Sequence, residues 1–263
     1  MMQEIKILHM YHDLMNLYGD WANTAVLSHA LTEHGYSATV EEKSIGDEFD
    51  LSAYDYIYIG SGTERNQRAC MQDLAQYKEA LLERIEAGMY MLATGNSHEL
   101  FGRSVTDSDG GRFEALGLLD FETVRGSSRT TGDCVCRASF LKEKLIGFIN
   151  RADKGQAGNI ARPFTNDLGP GANDSTNTEG IMYKNLLGTY LTGPILVRNP
   201  PLLWHYVSLL DKHGDKQGNG SSVCLRHAGH TDEPSPCSTP FFTYQNTAYQ
   251  MALKELTERI GNK

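Results

Sequence analysis

A short stretch in the first half of the chain carries side chains whose types and spacing could do chemistry. The apolar run 89–93 is followed by Gly95-Asn96-Ser97-His98-Glu99. A serine beside a histidine can supply a nucleophile and a base, and a turn between a strand and a helix exposes a nucleophile where backbone N–H groups converge. The residue expected at the tip of this turn, however, is Gly95, which has no side chain.

Two interpretations of Ser97 follow from its place beside this turn. In the first, Ser97 replaces the missing nucleophile and His98 activates it. In the second, Ser97 caps the helix that follows, and His98 and Glu99 are polar residues of its first turn. Consecutive residues on a turn usually point apart, which favours the capping role.

A second loop, Gly60-Ser61-Gly62, also follows an apolar run, residues 54–59. Both loops fall at the carboxyl ends of predicted strands, where ligands bind in parallel sheets. Glycine lets the backbone come close to a ligand, although each loop taken alone is equally consistent with a tight turn. Together, the two loops predict a pocket.

A third group of possible ligands lies near the C-terminus, within a polar loop over residues 213–240. Cys224, His227, His230 and Cys237 are residue types that bind zinc. Their spacing matches no standard zinc finger. We therefore expect no metal and no cofactor, and a structural zinc site in this loop is the alternative.

The elements that must position these residues alternate between strand and helix patterns. Apolar runs predict strands at residues 5–10, 54–59 and 89–93, and a further strand is predicted at residues 37–42, four in all. Apolar positions three and four residues apart predict helices over about 20–34 and 64–87. This order is typical of right-handed crossovers, so we predict a three-layer α/β fold in which helices flank a mostly parallel sheet.

The second half of the chain is less regular. Residues 117–124 and 133–136 look like strands joined by a loop, and residues 150–179 predict loops with one edge strand. Residues 185–196 predict a buried strand that reaches a Gly-Pro turn. Helices are expected over 201–211 and 243–260.

The domain organisation follows from these elements. Residues 1–200 are expected to form one domain, and residues 201–263 a C-terminal helical extension, joined by the polar loop, that packs on it.

Charge and composition limit the partners. The 263 residues carry a formal net charge of −9, which argues against nonspecific binding to nucleic acid or anionic membranes. No apolar run approaches the ~18 residues that span a bilayer, and the N-terminus does not look like a signal peptide. Five cysteines, an odd number, suit reduced thiols. We expect a cytoplasmic protein with small-molecule or protein partners.

Four longer segments resemble one family. They are Leu17-Tyr-Gly-Asp20, Leu116-Gly-Leu-Leu-Asp-Phe121, Arg129-Thr-Thr-Gly-Asp133 and Glu179-Gly-Ile-Met-Tyr-Lys-Asn-Leu-Leu-Gly-Thr-Tyr-Leu-Thr-Gly-Pro-Ile-Leu196. With the two loops, they make the chain similar to class I glutamine amidotransferases of the cobyric acid synthase (CobB/CobQ) branch, from the first strand to the terminal helix. Within that branch it most resembles glutaminase subunits that pair with a Mur-ligase-like (MurT-type) subunit and amidate the peptidoglycan precursor lipid II.

The resemblance implies a chemistry that this chain lacks. In the family, a cysteine activated by a histidine attacks the glutamine carboxamide and forms a thioester. The family pattern at the first loop is Cys-Gly-Gly-Tyr-Gln, which puts Gly95 at the nucleophile and Asn96 at the next glycine. The histidine of the pattern Tyr-Leu-His-Gly-Pro falls at Thr192. Because both partners are missing, we interpret the chain as a degenerate glutaminase.

Other parts of the family's site are retained. Gly60, Ser61 and Gly62 match a loop that helps to form the oxyanion hole, and the Asn96 N–H would be the second donor. Arg129 matches an arginine thought to bind substrate, although it could also be a solvated loop residue.

Three hypotheses result. The first is a noncatalytic subunit in a heterodimer with a Mur-ligase-like partner. The second is an enzyme with an altered nucleophile, Ser97, and the third is a sensor that binds glutamine or a related small carboxylate.

Overall fold

Apolar runs and polar segments alternate along most of the chain. The structure, a computed structural model, describes residues 3–173, 175–216 and 240–261. The first half contains β1 (Glu4–Met10), α1 (Trp21–Glu33), β2 (Ser37–Lys43), β3 (Tyr56–Ile59), α2 (Glu64–Leu74), α3 (Lys78–Glu86), β4 (Tyr90–Thr94), β5 (Ser104–Thr106) and β6 (Arg112–Glu114). The second half contains β7 (Phe121–Ala138), β8 (Lys144–Gly158), β9 (Phe164–Leu168), β10 (Thr178–Glu179), β11 (Ile181–Tyr183), β12 (Leu186–Thr189), β13 (Leu191–Thr192), α4 (Ile195–Arg198), α5 (Pro200–Lys216) and α6 (Pro240–Gly261).

The first sheet has six strands in the order β11-β12-β4-β3-β1-β2. All neighbours are parallel except β11, which runs antiparallel to β12. Every residue of β3 is buried, as expected for a parallel strand covered on both faces. Apolar clusters lie on the two sides of this sheet, one including Leu27 of α1 and Leu203 of α5, the other Leu74 of α2 and Ile85 of α3. The predicted mostly parallel sheet flanked by helices is thus confirmed.

The predicted helix over 64–87 is interrupted. A 3-10 turn at Ala75–Tyr77 separates α2 from α3, so that two shorter helices make the crossover from β3 to β4.

A second sheet occupies the later part of the chain and was not expected from the sequence. Its order is β10-β9-β7-β5-β6, and β8 pairs antiparallel with β7. The predicted loop over 125–131 lies inside β7, whose pairing with β8 shifts register between Arg125 and Arg129. The segment expected to be mainly loops supplies the end of β8 together with β9 and β10.

The predicted strand over 185–196 divides between the two sheets. β12 pairs with β4 in the first sheet, whereas β13 pairs with β8 in the second. The change occurs at Tyr190, whose backbone N–H donates to Glu179 Oε1 at 2.6 Å. A buried carboxylate therefore satisfies the backbone where the chain leaves one ladder for the other.

The helices α5 and α6 are close to the predicted ones and contact each other. The rings of Trp204 and Phe242 lie 5.0 Å apart, and Phe242 belongs to the cluster that includes α1. The division of the chain at residue 200 stays a prediction. Among the described residues, no helix has the length and apolar character needed to cross a bilayer.

Candidate functional site

The turn after β4 is a sharp elbow. Gly95 has φ +62°, in the left-handed region that favours glycine. The residues that follow, Gly95–Phe101, form 3-10 turns rather than the expected α-helix. The elbow lies against Gly60–Gly62, because β3 and β4 are parallel neighbours that end at the same edge.

The space above Gly95 is filled by Ser61. A Cβ added to Gly95 would overlap Ser61 Oγ and lie 2.6 Å from Ser61 Cβ. Ser61 is 2% exposed, and its hydroxyl has no hydrogen-bond partner among the residues that the structure describes. A side chain at position 95 is therefore excluded unless Ser61 moves.

The carboxamide of Asn96 bridges the two loops. Asn96 Oδ1 accepts from the Gly62 N–H at 3.0 Å, and Asn96 Nδ2 donates to the Gly62 carbonyl at 2.9 Å. The Ser61 N–H donates to Asp20 Oδ2 at 3.2 Å. These two loop N–H groups, expected to face an oxyanion, thus already have acceptors within the protein; the oxyanion role of this loop and of the Asn96 N–H stays a prediction.

Thr192, which the resemblance puts at the position of the family's histidine, is buried and belongs to β13. Its hydroxyl donates to the Phe148 carbonyl at 2.9 Å across the β13–β8 pair. The side chain holds the second sheet together, and a hydroxyl cannot replace imidazole as a base at neutral pH.

Ser97 and His98 do not form a nucleophile and base pair. Both are 0% exposed. Ser97 Oγ donates to the carbonyls of Ile59 at 3.0 Å and Thr94 at 2.8 Å, and neither residue lines the cavity described below. The alternative with Ser97 as nucleophile therefore finds no support in this geometry, and the expected capping role is wrong because the hydroxyl donates to carbonyls.

His98 is part of the buried interior rather than an exposed first turn. Its Nδ1 lies 2.6 Å from the Gly95 carbonyl and its Nε2 lies 2.7 Å from Gln156 Nε2. A carbonyl on one side and an amide donor on the other assign the proton to Nδ1. Burial lowers the His98 pKa to about 4, so the ring is neutral at pH 7 and steadies the elbow.

The two loops open onto a cavity of about 180 Å³. Its polar walls include Tyr18, Glu99, Arg125, Asn150 and Tyr190, and Arg129 contributes from the rim. The Arg129 side chain is 49% exposed, and its Nη1 lies 3.1 Å from Glu64 Oε1. Arg129 Nε donates to Asn150 Oδ1 at 2.7 Å. In this structure Glu64 supplies a carboxylate to Arg129, and the predicted role of Arg129 in binding substrate stays a prediction.

Asp20, which was not predicted to be a site residue, ties the loops together from below. Its carboxylate accepts from the N–H groups of Tyr18 and Ser61 and from the hydroxyls of Tyr58 and Thr94. Burial raises the Asp20 pKa, and these hydrogen bonds oppose the shift. The sequence feature that could have indicated Asp20 is its place in Leu17-Tyr-Gly-Asp20, one of the segments that carry the resemblance.

A buried ion pair also went unpredicted. Arg125 Nη2 lies 2.6 Å from Glu99 Oε2, and both side chains are 5% exposed. Glu99 Oε1 accepts from the Tyr190 hydroxyl at 2.8 Å, and Gln67 Nε2 donates to Glu99 Oε2 at 2.9 Å. No spacing in the sequence indicates these contacts, because the partners lie far apart along the chain.

Glu179 should give the protein an unusual pH dependence. Burial raises its pKa from 4.5 to about 7, against the opposing hydrogen bonds from Thr189 and the backbone of Tyr190. A folded-state pKa above the unfolded one means that its contribution to stability is lost as the pH rises through about 4.5 to 7, by about 3 kcal/mol in total. Glu179→Gln should remove this decline when urea unfolding is followed from pH 4.5 to 8.

The exposed carboxylate of Glu255 on α6 offers a control. Glu255→Gln should leave the pH dependence of the free energy of unfolding as in the wild type. If Glu179→Gln behaves in the same way, the raised pKa is wrong.

Among residues 3–173, 175–216 and 240–261, no group of three His, Cys, Asp or Glu residues is placed to hold a metal ion. Cys224, His227, His230 and Cys237 lie outside the described residues, so the zinc alternative stays a prediction.

Comparison with known proteins gives one consistent result. Residues 6–200 match the family model of the CobB/CobQ-like glutamine amidotransferase domain. The chain is 33% identical over 222 residues to the lipid II isoglutaminyl synthase (glutamine-hydrolyzing) subunit GatD of Staphylococcus aureus, a match that covers 82% of this chain and 87% of that protein. It is 31% identical over 215 residues to the subunit of the same name from Streptococcus pneumoniae, covering 80% and 83%. Among solved structures, the glutaminase domain of CTPS from Trypanosoma brucei aligns with a TM-score of 0.50 at 9% identity, covering 79% of this chain and 94% of that one, a likeness of fold.

Proposed function

The chain belongs to the CobB/CobQ-like glutamine amidotransferase family, and we propose that it is a subunit that does not hydrolyse glutamine and that supports a Mur-ligase-like partner in amidating a cell-wall precursor. Two relatives at 31% and 33% identity, named as subunits of lipid II isoglutaminyl synthase, support the link to lipid II. The partner forms a heterodimer with this chain, in the cytoplasm.

One observation carries the proposal: the Ser61 side chain occupies the space that a side chain at position 95 would need. The resemblance puts the family's nucleophile at this position. Thioester formation requires a thiolate at the elbow and a base beside it. Thr192, at the position of the base, has its hydroxyl engaged by the Phe148 carbonyl. At these two positions the chain has neither the nucleophilic thiolate nor the base that thioester formation requires.

The preserved architecture suggests what remains for the subunit to do. Asp20 and the Asn96 carboxamide hold the loops of the first sheet in a defined arrangement at the cavity. A rigid surface of this kind can stabilise a partner or complete the shape of its active site. Ammonia then comes from solution, or the partner uses another nucleophile.

The proposal predicts a specific set of activities. The purified chain, alone or with the Mur-ligase-like partner, should release no glutamate from glutamine in a coupled dehydrogenase assay. The ligase should amidate its acceptor with ammonium chloride as nitrogen source, and more efficiently with this chain present. Glutamate release by either preparation would overturn the proposal, and an unchanged ligase would remove the supporting role.

A second candidate function rests on the cavity of about 180 Å³ and the Arg129 guanidinium at its rim. A small carboxylate could displace Glu64 from Arg129 and accept a hydrogen bond from Nη1 in its place. Calorimetry with acetate, malonate and glutamate, with Arg129→Ala as control, decides this role. The role is excluded if no heat of binding is measured, or if the heat is the same in the wild type and in Arg129→Ala.

A further inference from the structure

Asn96 is a departure from the family pattern that the loss of catalysis does not require. The pattern has glycine after the nucleophile, whereas this chain has a residue with a carboxamide. A chain that has already lost its nucleophile gains nothing catalytic from an added side chain at this point. The contacts of Asn96 indicate what the carboxamide does instead.

The Asn96 carboxamide forms a reciprocal pair with the peptide groups of Gly62. Its oxygen accepts from the Gly62 N–H at 3.0 Å, and its nitrogen donates to the Gly62 carbonyl at 2.9 Å. Its backbone is also held, since Gln67 Nε2 donates to the Asn96 carbonyl at 2.5 Å. Both Asn96 and Gly62 line the cavity. The side chain is thus held at the wall of the cavity through both its oxygen and its nitrogen.

Glutamine ends in the same chemical group. A carboxamide that enters the cavity towards the elbow needs one donor for its oxygen and one acceptor for its nitrogen. In the loop 60–62, the N–H and carbonyl of Gly62 face the elbow. The Asn96 carboxamide already forms a hydrogen bond with each of them. An incoming carboxamide must therefore displace a side chain that is tethered to the same loop, at the cost of two hydrogen bonds.

We propose that Asn96 determines the specificity of the cavity: its carboxamide occupies the amide end, excludes glutamine and joins the loops 60–62 and 95–99 without any ligand. The inference rests on the proposed function, because it concerns the same site. It adds that the subunit binds the family's substrate only weakly and that its loops are held in one arrangement whether or not glutamine is present.

The test compares glutamine binding by calorimetry in the wild type and in Asn96→Gly. The variant should bind glutamine about 30-fold more tightly than the wild type, which corresponds to the two hydrogen bonds, or about 2 kcal/mol. Asn66→Ala is the matched control: Asn66 Nδ2 donates to the Leu14 carbonyl at 2.9 Å, but the residue does not line the cavity. This variant should bind glutamine as weakly as the wild type.

A second measurement guards against a variant that is merely less ordered. Amide hydrogen exchange at Gly62 should be slow in the wild type, at least tenfold faster in Asn96→Gly, and slow again when the variant is saturated with glutamine. Wild-type binding as tight as that of the variant would overturn the inference, and so would a folded variant without a gain. Wild-type binding as tight as that of the variant, without glutamate release, would refute only this inference, whereas glutamate release would also refute the proposed function.

Discussion

Replacing Gly95 by cysteine is expected to destabilise the protein by about 2–5 kcal/mol and to give no glutaminase activity. The φ of +62° costs a residue with a Cβ about 1–2 kcal/mol. The overlap with the side chain of Ser61 adds about 1–3 kcal/mol, because Ser61 is buried and can move only by displacing its neighbours. The measurement is the free energy of unfolding in urea.

Two control variants separate these contributions. Gly110 has φ +88° and no atom within 4 Å of an added Cβ, so Gly110→Cys should cost only about 1–2 kcal/mol. The double variant Ser61→Gly with Gly95→Cys should recover most of the steric part. If Gly95→Cys alone is as stable as the wild type, Ser61 does not fill the nucleophile's space.

The elbow at Gly95 shows how much of the candidate site can be predicted from the sequence. Parallel strands that end in glycine-containing loops predict that Gly60–Gly62 and the elbow at Gly95 meet, and they do. The sequence does not predict which side chain fills the space left at Gly95. The answer depends on side-chain rotamers and on interatomic distances shorter than the size of one residue. Hydrophobic patterns contain no information about either.

The same limit applies to polar residues near the elbow. His98 and Glu99 look like exposed residues of a helical turn, but the structure buries both. Each is buried because a distant residue satisfies it: Gln156 for His98 and Arg125 for Glu99. Local patterns report the average environment of a residue type, and a buried polar group is decided by its partners.

The second sheet was missed for a related reason. The predictions relied mainly on apolar runs, which identify inner parallel strands such as β3 because these are covered on both faces. Residues 125–131 are mostly polar and include glycine and serine, so they resembled a loop. In β7, Arg125 and residues 129–131 pair through the backbone with β8, and these backbone hydrogen bonds do not depend on apolar side chains.

Breaking the ion pair between Arg125 and Glu99 is expected to have the second large effect on stability. Arg125→Met should lower the free energy of unfolding by about 3–5 kcal/mol, because it leaves the Glu99 carboxylate buried with only neutral donors from Tyr190 and Gln67. Arg125 Nη1 also lies 2.8 Å from Asp107 Oδ1, so the same change removes a second ion pair.

Arg103 provides a control with the same geometry in a different environment. Its Nη1 lies 2.6 Å from Asp120 Oδ1, the same distance as in the buried pair, but the side chains are 52% and 55% exposed. Arg103→Met should therefore cost less than about 1 kcal/mol, since water solvates the carboxylate that remains. Equal losses in the two variants would mean that burial does not decide the strength of the Glu99 pair. A large loss in Arg125→Met alone would show that the cavity wall depends on a desolvated charge keeping its partner.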